Sequence, residues 1–138
     1  MKIIRGNYIT IHEINIFFKY VTEMLLEHFD VPEYSDTVFS LGTYIHFSSE
    51  QLRQQFPKKR IIVYQLEQMM GISVWQSIDN IINNIKGADE IWDYDSLNVT
   101  FLEWHGIKVD KVVPMLYSAN LATIVPNDNP EFDVLFYG

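Results

Sequence analysis

Between residues 60 and 117 the chain carries one pattern twice: an apolar strand, a polar turn, an amphipathic helix closed by glycine, and a further strand. Ile61-Ile62-Val63-Tyr64 leads through a turn over 65–71 to a helix ending at Ile85. Glu90-Ile91-Trp92 leads through 93–96 to a helix ending at His105, and Lys111-Val112-Val113-Pro114 follows. Two βαβ units in succession predict an α/β domain. The strands are continuously apolar, which suits a mainly parallel sheet covered by helices on both faces. In such Rossmann-like, three-layer domains the turns after successive strands share one edge, and ligands bind there. The search for a functional site narrows to one row of turns.

A chain of 138 residues is long enough for one hydrophobic core and too short for two ordinary domains. Hydrophobic residues make up 48% of it, enough to bury a sheet, which argues against a disordered chain. Ten Lys and Arg against 18 Asp and Glu leave a formal charge of −8, which argues against a nucleic-acid partner. With no cysteine there is neither a disulfide framework nor a thiolate metal site. The first seven residues lack the apolar core of a signal peptide, and no apolar run approaches the length of a membrane span. A cytoplasmic protein is expected. Asn98-Val99-Thr100 matches the glycosylation acceptor pattern but falls in a predicted helix and is set aside.

Upstream, residues 3–11 read as a short strand or small hairpin with Gly6-Asn7 as its turn. From Glu13 the spacing becomes helical, with Ile14, Phe17, Phe18, Val21 and Leu25 on one face, and the helix ends near Phe29, before Pro32. Residues 37–41 form a strand stopped by Gly42, and Ser48 with Gln51 makes the capping box of a short helix reaching Phe56. In the repeated region Ile78, Ile81, Ile82 and Ile85 form one helical stripe, with Lys86 in the last turn and Gly87 as the stop. Asp95 or Ser96 caps the next helix, where Leu97, Phe101 and Trp104 share a face and Gly106 is the stop. The expected division is a Rossmann-like domain over 1–125, a hinge-like loop over 126–130 and a strand over 131–138. That strand either pairs with the domain's own edge or, the favoured reading, opens a second domain.

Neither the G-x-G-x-x-G nor the G-x-x-x-x-G-K-[ST] pattern occurs, so nucleotide binding by a glycine-rich loop is excluded. His12, His28, His46 and His105 lack metal-ligand spacing, and no metal site is expected. A serine elbow is missing, and a thiol nucleophile is impossible. Polar residues at the predicted strand ends remain. Asp93-Tyr94-Asp95 could hold a divalent cation against a diphosphate, or serve as strand terminus and helix cap. Glu67 could be a general base or a solvated turn residue, and Tyr117 and Asn120 are equally open.

Ile62-Val63-Tyr64-Gln65-Leu66-Glu67-Gln68, Ala88-Asp89-Glu90-Ile91-Trp92-Asp93-Tyr94-Asp95 with Asn98, Gly106-Ile107, Val112-Val113-Pro114 and Asp133-Val134-Leu135-Phe136-Tyr137-Gly138 occur in that order. Together they resemble the amino-terminal domain of GT-B-type (glycogen phosphorylase-like) glycosyltransferases over residues 60–138. The resemblance implies a two-domain enzyme in which this part forms the acceptor wall of the cleft. A carboxyl-terminal domain, absent from this truncated chain, would bind the nucleotide-sugar donor, and no cofactor belongs to this part. On the same basis Gly42, Thr43, Gln65, Asp95, Pro114, Tyr117 and Asn120 are the substrate-binding candidates, hydrogen bonding to acceptor hydroxyls and shaping the cleft. Glu67 is the catalytic candidate.

The chain departs from the family pattern twice. No glycine-rich turn follows the first strand, and the phosphate-gripping basic residues and ribose carboxylate of the donor half have no counterpart. Two other readings stand beside the resemblance. One is a noncatalytic, flavodoxin-like regulatory or interaction module whose acidic surface recruits a basic partner; the other is a metal-dependent sugar transferase built on Asp93 and Asp95.

Overall fold

The computed structural model describes residues 1–14, 18–69 and 77–119. Among these residues six strands form one sheet in chain order: β1 (Lys2–Arg5), β2 (Ile9–Glu13), β3 (Thr37–Leu41), β4 (Arg60–Gln65), β5 (Glu90–Asp93) and β6 (Lys111–Val112). β1 and β2 are an antiparallel hairpin, and every later pair is parallel. Helices α1 (Lys19–Phe29), α2 (Ser49–Gln55), α3 (Ile78–Ile85) and α4 (Ser96–Trp104) lie in the four crossovers. The chain is thus α/β and Rossmann-like in its layering. Among the described residues no helix is long and apolar enough to cross a membrane. The hinge-like loop, the strand expected over 131–138, Gly71 and Asn120 lie outside the described residues.

Alternation along the strands sorts the core into two layers. On one face Ile11, Phe39, Leu41, Ile62, Tyr64 and Trp92 pack against Val21, Met24, Leu25 and Phe29 of α1. On the other, Val38 and Ile61 meet Leu52 of α2, while Val63 and Ile91 meet Ile81 and Ile85 of α3 and Leu102 of α4. Each such burial stabilises by roughly 1.5–3 kcal/mol, so β3, β4 and β5, covered on both faces, carry most of the fold.

From β2 to β6 every crossover steps the same way across the sheet, yet α1 covers one face and the other three helices cover the opposite one. The β2–α1–β3 crossover therefore has the opposite hand to the remaining three, against the strong preference for a single hand. The chain leaves the carboxyl ends of β2 and β3 toward opposite faces. Adjacent strands with diverging exits form the kind of crevice at which open α/β sheets bind ligands.

Aspartates fasten the amino ends of the strands. Asp30, just past α1, accepts the backbone N–H groups of Asn7 and Tyr8 at 2.7 Å and of Ile9 at 3.1 Å, which ties the hairpin turn to the helix. Its carboxylate lies 2.6 Å from where a Cβ on Gly6 would stand, so only glycine admits it there. Asp89 accepts Ile61 N–H at 2.7 Å, and Asp110 accepts Ile91 N–H at 2.9 Å.

Three expectations need correction. Glu13 does not open a helix: it ends β2, pairs with Lys2, bridges to Gly42 and is buried. Sheet pairing overrides the local helical spacing, and α1 begins at Lys19. In α4, Leu97 and Trp104 are not core residues but 67% and 79% exposed; the helix buries Asn98 and Leu102 instead. Lys86 also lies one position beyond the last turn of α3, as its C-cap.

Candidate functional site

The carboxyl ends of β4 and β5 are joined by a buried polar hub. Asp93, fully buried, accepts Asp95 N–H at 2.8 Å and Asn98 Nδ2 at 3.0 Å on Oδ1, and Gln65 Nε2 at 2.9 Å on Oδ2. Gln65 Nε2 and Asn98 Nδ2 both also donate to the Glu67 carbonyl, at 2.8 and 2.9 Å. Glu67 N–H donates to Gln65 Oε1, and Met69 N–H donates to Asn98 Oδ1 at 3.0 Å. Tyr44 extends the hub toward β3: its hydroxyl donates to Gln65 Oε1 at 3.4 Å and accepts Leu66 N–H at 2.9 Å. The turn from Gln65 to Met69 is therefore held by side chains from three neighbouring segments.

Burial pushes the Asp93 carboxyl up to about 6 despite the donors around it, and the nearby Asp95 charge adds to the rise. Burial likewise raises the Tyr44 hydroxyl, which stays protonated and able to donate. Asp95 is half-buried and caps α4, accepting Leu97 N–H at 2.9 Å. Both oxygens of Asp93 and one of Asp95 are thus occupied by N–H donors. Among the described residues no group of three acidic or histidine side chains could hold a metal ion.

The sequence-derived candidates separate into three groups. Gln65, Glu67 and Asp95 come together at the hub, on the carboxyl edge. Gly42 and Thr43 lie at the β2/β3 crevice and are buried. The Phe18 ring comes within 2.5 Å of where a Cβ on Gly42 would stand, and Thr43 Oγ1 shares a 2.6 Å hydrogen bond with Ser40 Oγ and donates to the His12 carbonyl at 3.3 Å. Pro114 and Tyr117 are exposed and belong to the segment after β6, which turns over α1: Tyr20 donates to the Leu116 carbonyl, Ser118 to Glu27, and His28 is hydrogen-bonded to the Tyr117 carbonyl.

Sequence reasoning did not single out Glu13, Tyr44 or Asn98. Glu13 stands at the carboxyl end of β2, accepts the Thr22 hydroxyl at 2.5 Å, and lines a cleft of about 400 Å³ between β1 and α1. A larger groove, about 530 Å³, runs between α3 and α4 past Asp79, Lys86 and His105. Asn98 had one visible signal, its place three residues after Asp95 within a recurring motif order. Glu13 and Tyr44 had none, since an acid beside a helical pattern and a tyrosine after a strand are ordinary. Comparison of the chain with protein-family models, with curated proteins and with solved structures returns no match.

Proposed function

We propose that this chain is the amino-terminal, acceptor-side domain of a GT-B-type glycosyltransferase, with the donor-binding half supplied by a further domain. The observation that carries the reading is the convergence of Gln65, Glu67 and Asp95 on the carboxyl edge of a mainly parallel sheet, in the motif order that resembles those enzymes. In this reading the half-buried Glu67 and Asp95 face an acceptor. In the same reading Glu67, whose backbone is fixed at both its N–H and its carbonyl, takes the proton from an acceptor hydroxyl. Gly42 and Thr43 shape the crevice from below.

The test is ligand titration of the 138-residue chain followed by NMR. Simple saccharides should bind weakly and shift the amides of Glu67 and Asp95, and Glu67→Gln should weaken that binding. Nucleotide sugars should bind little. Tight nucleotide-sugar binding, or saccharide shifts confined to other surfaces, would overturn the assignment.

The noncatalytic module keeps one observation in its favour. A groove of about 530 Å³ lies between α3 and α4, away from the hub, and its lining includes Lys86, Gly106 and Ile107, past the ends of those helices. Saccharide-independent capture of a basic peptide at that groove would favour the module.

A further inference from the structure

Among the described residues, every group hydrogen-bonded to the Asp93 carboxyl is a donor: Asp95 N–H, Asn98 Nδ2 and Gln65 Nε2. A carboxylate accepts all three, but a carboxylic acid brings a proton that none of these three groups accepts. Only turning one of the amides makes room. A turned Gln65 would offer its oxygen to Asp93 but would set that oxygen against the Glu67 carbonyl and its NH₂ against Glu67 N–H. A turned Asn98 would oppose the same carbonyl and press its NH₂ on Met69 N–H. Either rearrangement removes the hold on the turn backbone.

We propose that Asp93 and Asn98 are positioning residues which, with Gln65, form a proton-released clamp fixing the turn that carries Glu67 to the amino end of α4. The charged form closes the clamp and the protonated form opens it. The titratable groups facing Asp93 are Asp95 and Tyr94 on its own turn, Glu67 and Tyr64 from β4 and its exit, and Tyr44 from the exit of β3. None of the four ion pairs among the described residues includes Asp93. Burial raises its carboxyl to about 6, where a modest acidification would open the clamp. The proposal deepens the acceptor-wall reading, in which Glu67 must be held in place, although the clamp itself requires no sugar.

NMR of the full chain between pH 4.5 and 8 tests it. The Asp93 carboxyl carbon, the side-chain amides of Gln65 and Asn98, and the backbone amides of Glu67 and Met69 should shift together with one midpoint. Below that midpoint, exchange at Glu67 and Met69 should rise about tenfold, the effect of losing one buried hydrogen bond, while Phe39 at the sheet centre is unchanged. In Asp93→Asn the joint transition should vanish. Asn98→Ala keeps the carboxylate, so it should leave Met69 fast-exchanging at every pH with Phe39 protected. If Asp93 titrates while the amides stay fixed, or Asn98→Ala loosens Phe39 as much as Met69, the clamp is overturned. Saccharide binding is not among these readouts, so this failure is distinct from failure of the acceptor reading.

Discussion

Gly42 is held by two independent constraints: a backbone φ of +67°, and the Phe18 ring and Ile14 side chain filling the space a Cβ would need. Replacing it with alanine should destabilise the protein by about 1–3 kcal/mol, read as a lower urea midpoint with an unchanged slope. Asp93 acts on stability through pH. Its folded pKa, about 6, lies above the ordinary value of 3.8, so the folded chain binds the proton more tightly than the unfolded one. That contribution is fully present below the ordinary value and is lost as pH rises toward 6, by about 3 kcal/mol. Asp30 and Asp89 have the opposite sign. Burial alone would raise both, but backbone N–H donors, joined for Asp89 by Arg53, outweigh it and hold them low. Their contribution is present above the ordinary carboxylate value and is lost as pH falls through the lowered one. Urea midpoints measured between pH 4 and 6 should therefore fall less steeply with rising pH in Asp93→Asn than in the parent chain.

Among the described strands, β6 is the most weakly held by its own pairing, with two residues against β5. Lys111 compensates: its Nζ lies 4.7, 5.2 and 5.8 Å from the ring centres of Trp92, Phe29 and Tyr34, and donates to the Tyr34 hydroxyl at 3.1 Å. Lys111→Ala should cost about 0.5–2 kcal/mol and raise amide exchange at Val113 before that of β4. Elements defined by local chemistry were legible in the sequence. The Ser48–Gln51 capping box, the Asp95 cap and the glycine stops at Gly87 and Gly106 all form as read. Those whose orientation depends on distant partners were not. Leu97, Phe101 and Trp104 have helical spacing, but α4 turns Asn98 inward because its amide closes the clamp on Glu67 and Met69. Gln65 and Asn98 look like surface amides in a sequence, and only the neighbouring strand ends make them interior. The row of turns was visible from the repeated strands, whereas the division of its candidates among hub, crevice and the segment over α1 required the fold.

Part of the acidic surplus of the whole molecule ties its backbone together: Asp30, Asp89 and Asp110 hold strand entries near the surface, and the buried Asp93 holds strand exits. The strand order has a kinetic consequence. Each strand pairs with its chain neighbour, so the sheet can grow by one crossover at a time, each closing a far shorter loop than a pairing of distant strands would. The segment after β6 is different: its hydrogen bonds to α1, through Tyr20, Met24, Glu27 and His28, join positions 89 to 96 residues apart. That closure is expected after the sheet has formed. Glu27→Ala, which removes the acceptor of Ser118 Oγ at 2.7 Å and of Ala119 N–H at 3.1 Å, should accelerate unfolding about fivefold and leave the folding rate nearly unchanged in stopped-flow measurements. A slowed folding arm would place this closure in the nucleus. With the folding arm unchanged, the chain would be seen to close as a zipper, its strap across α1 fastened last.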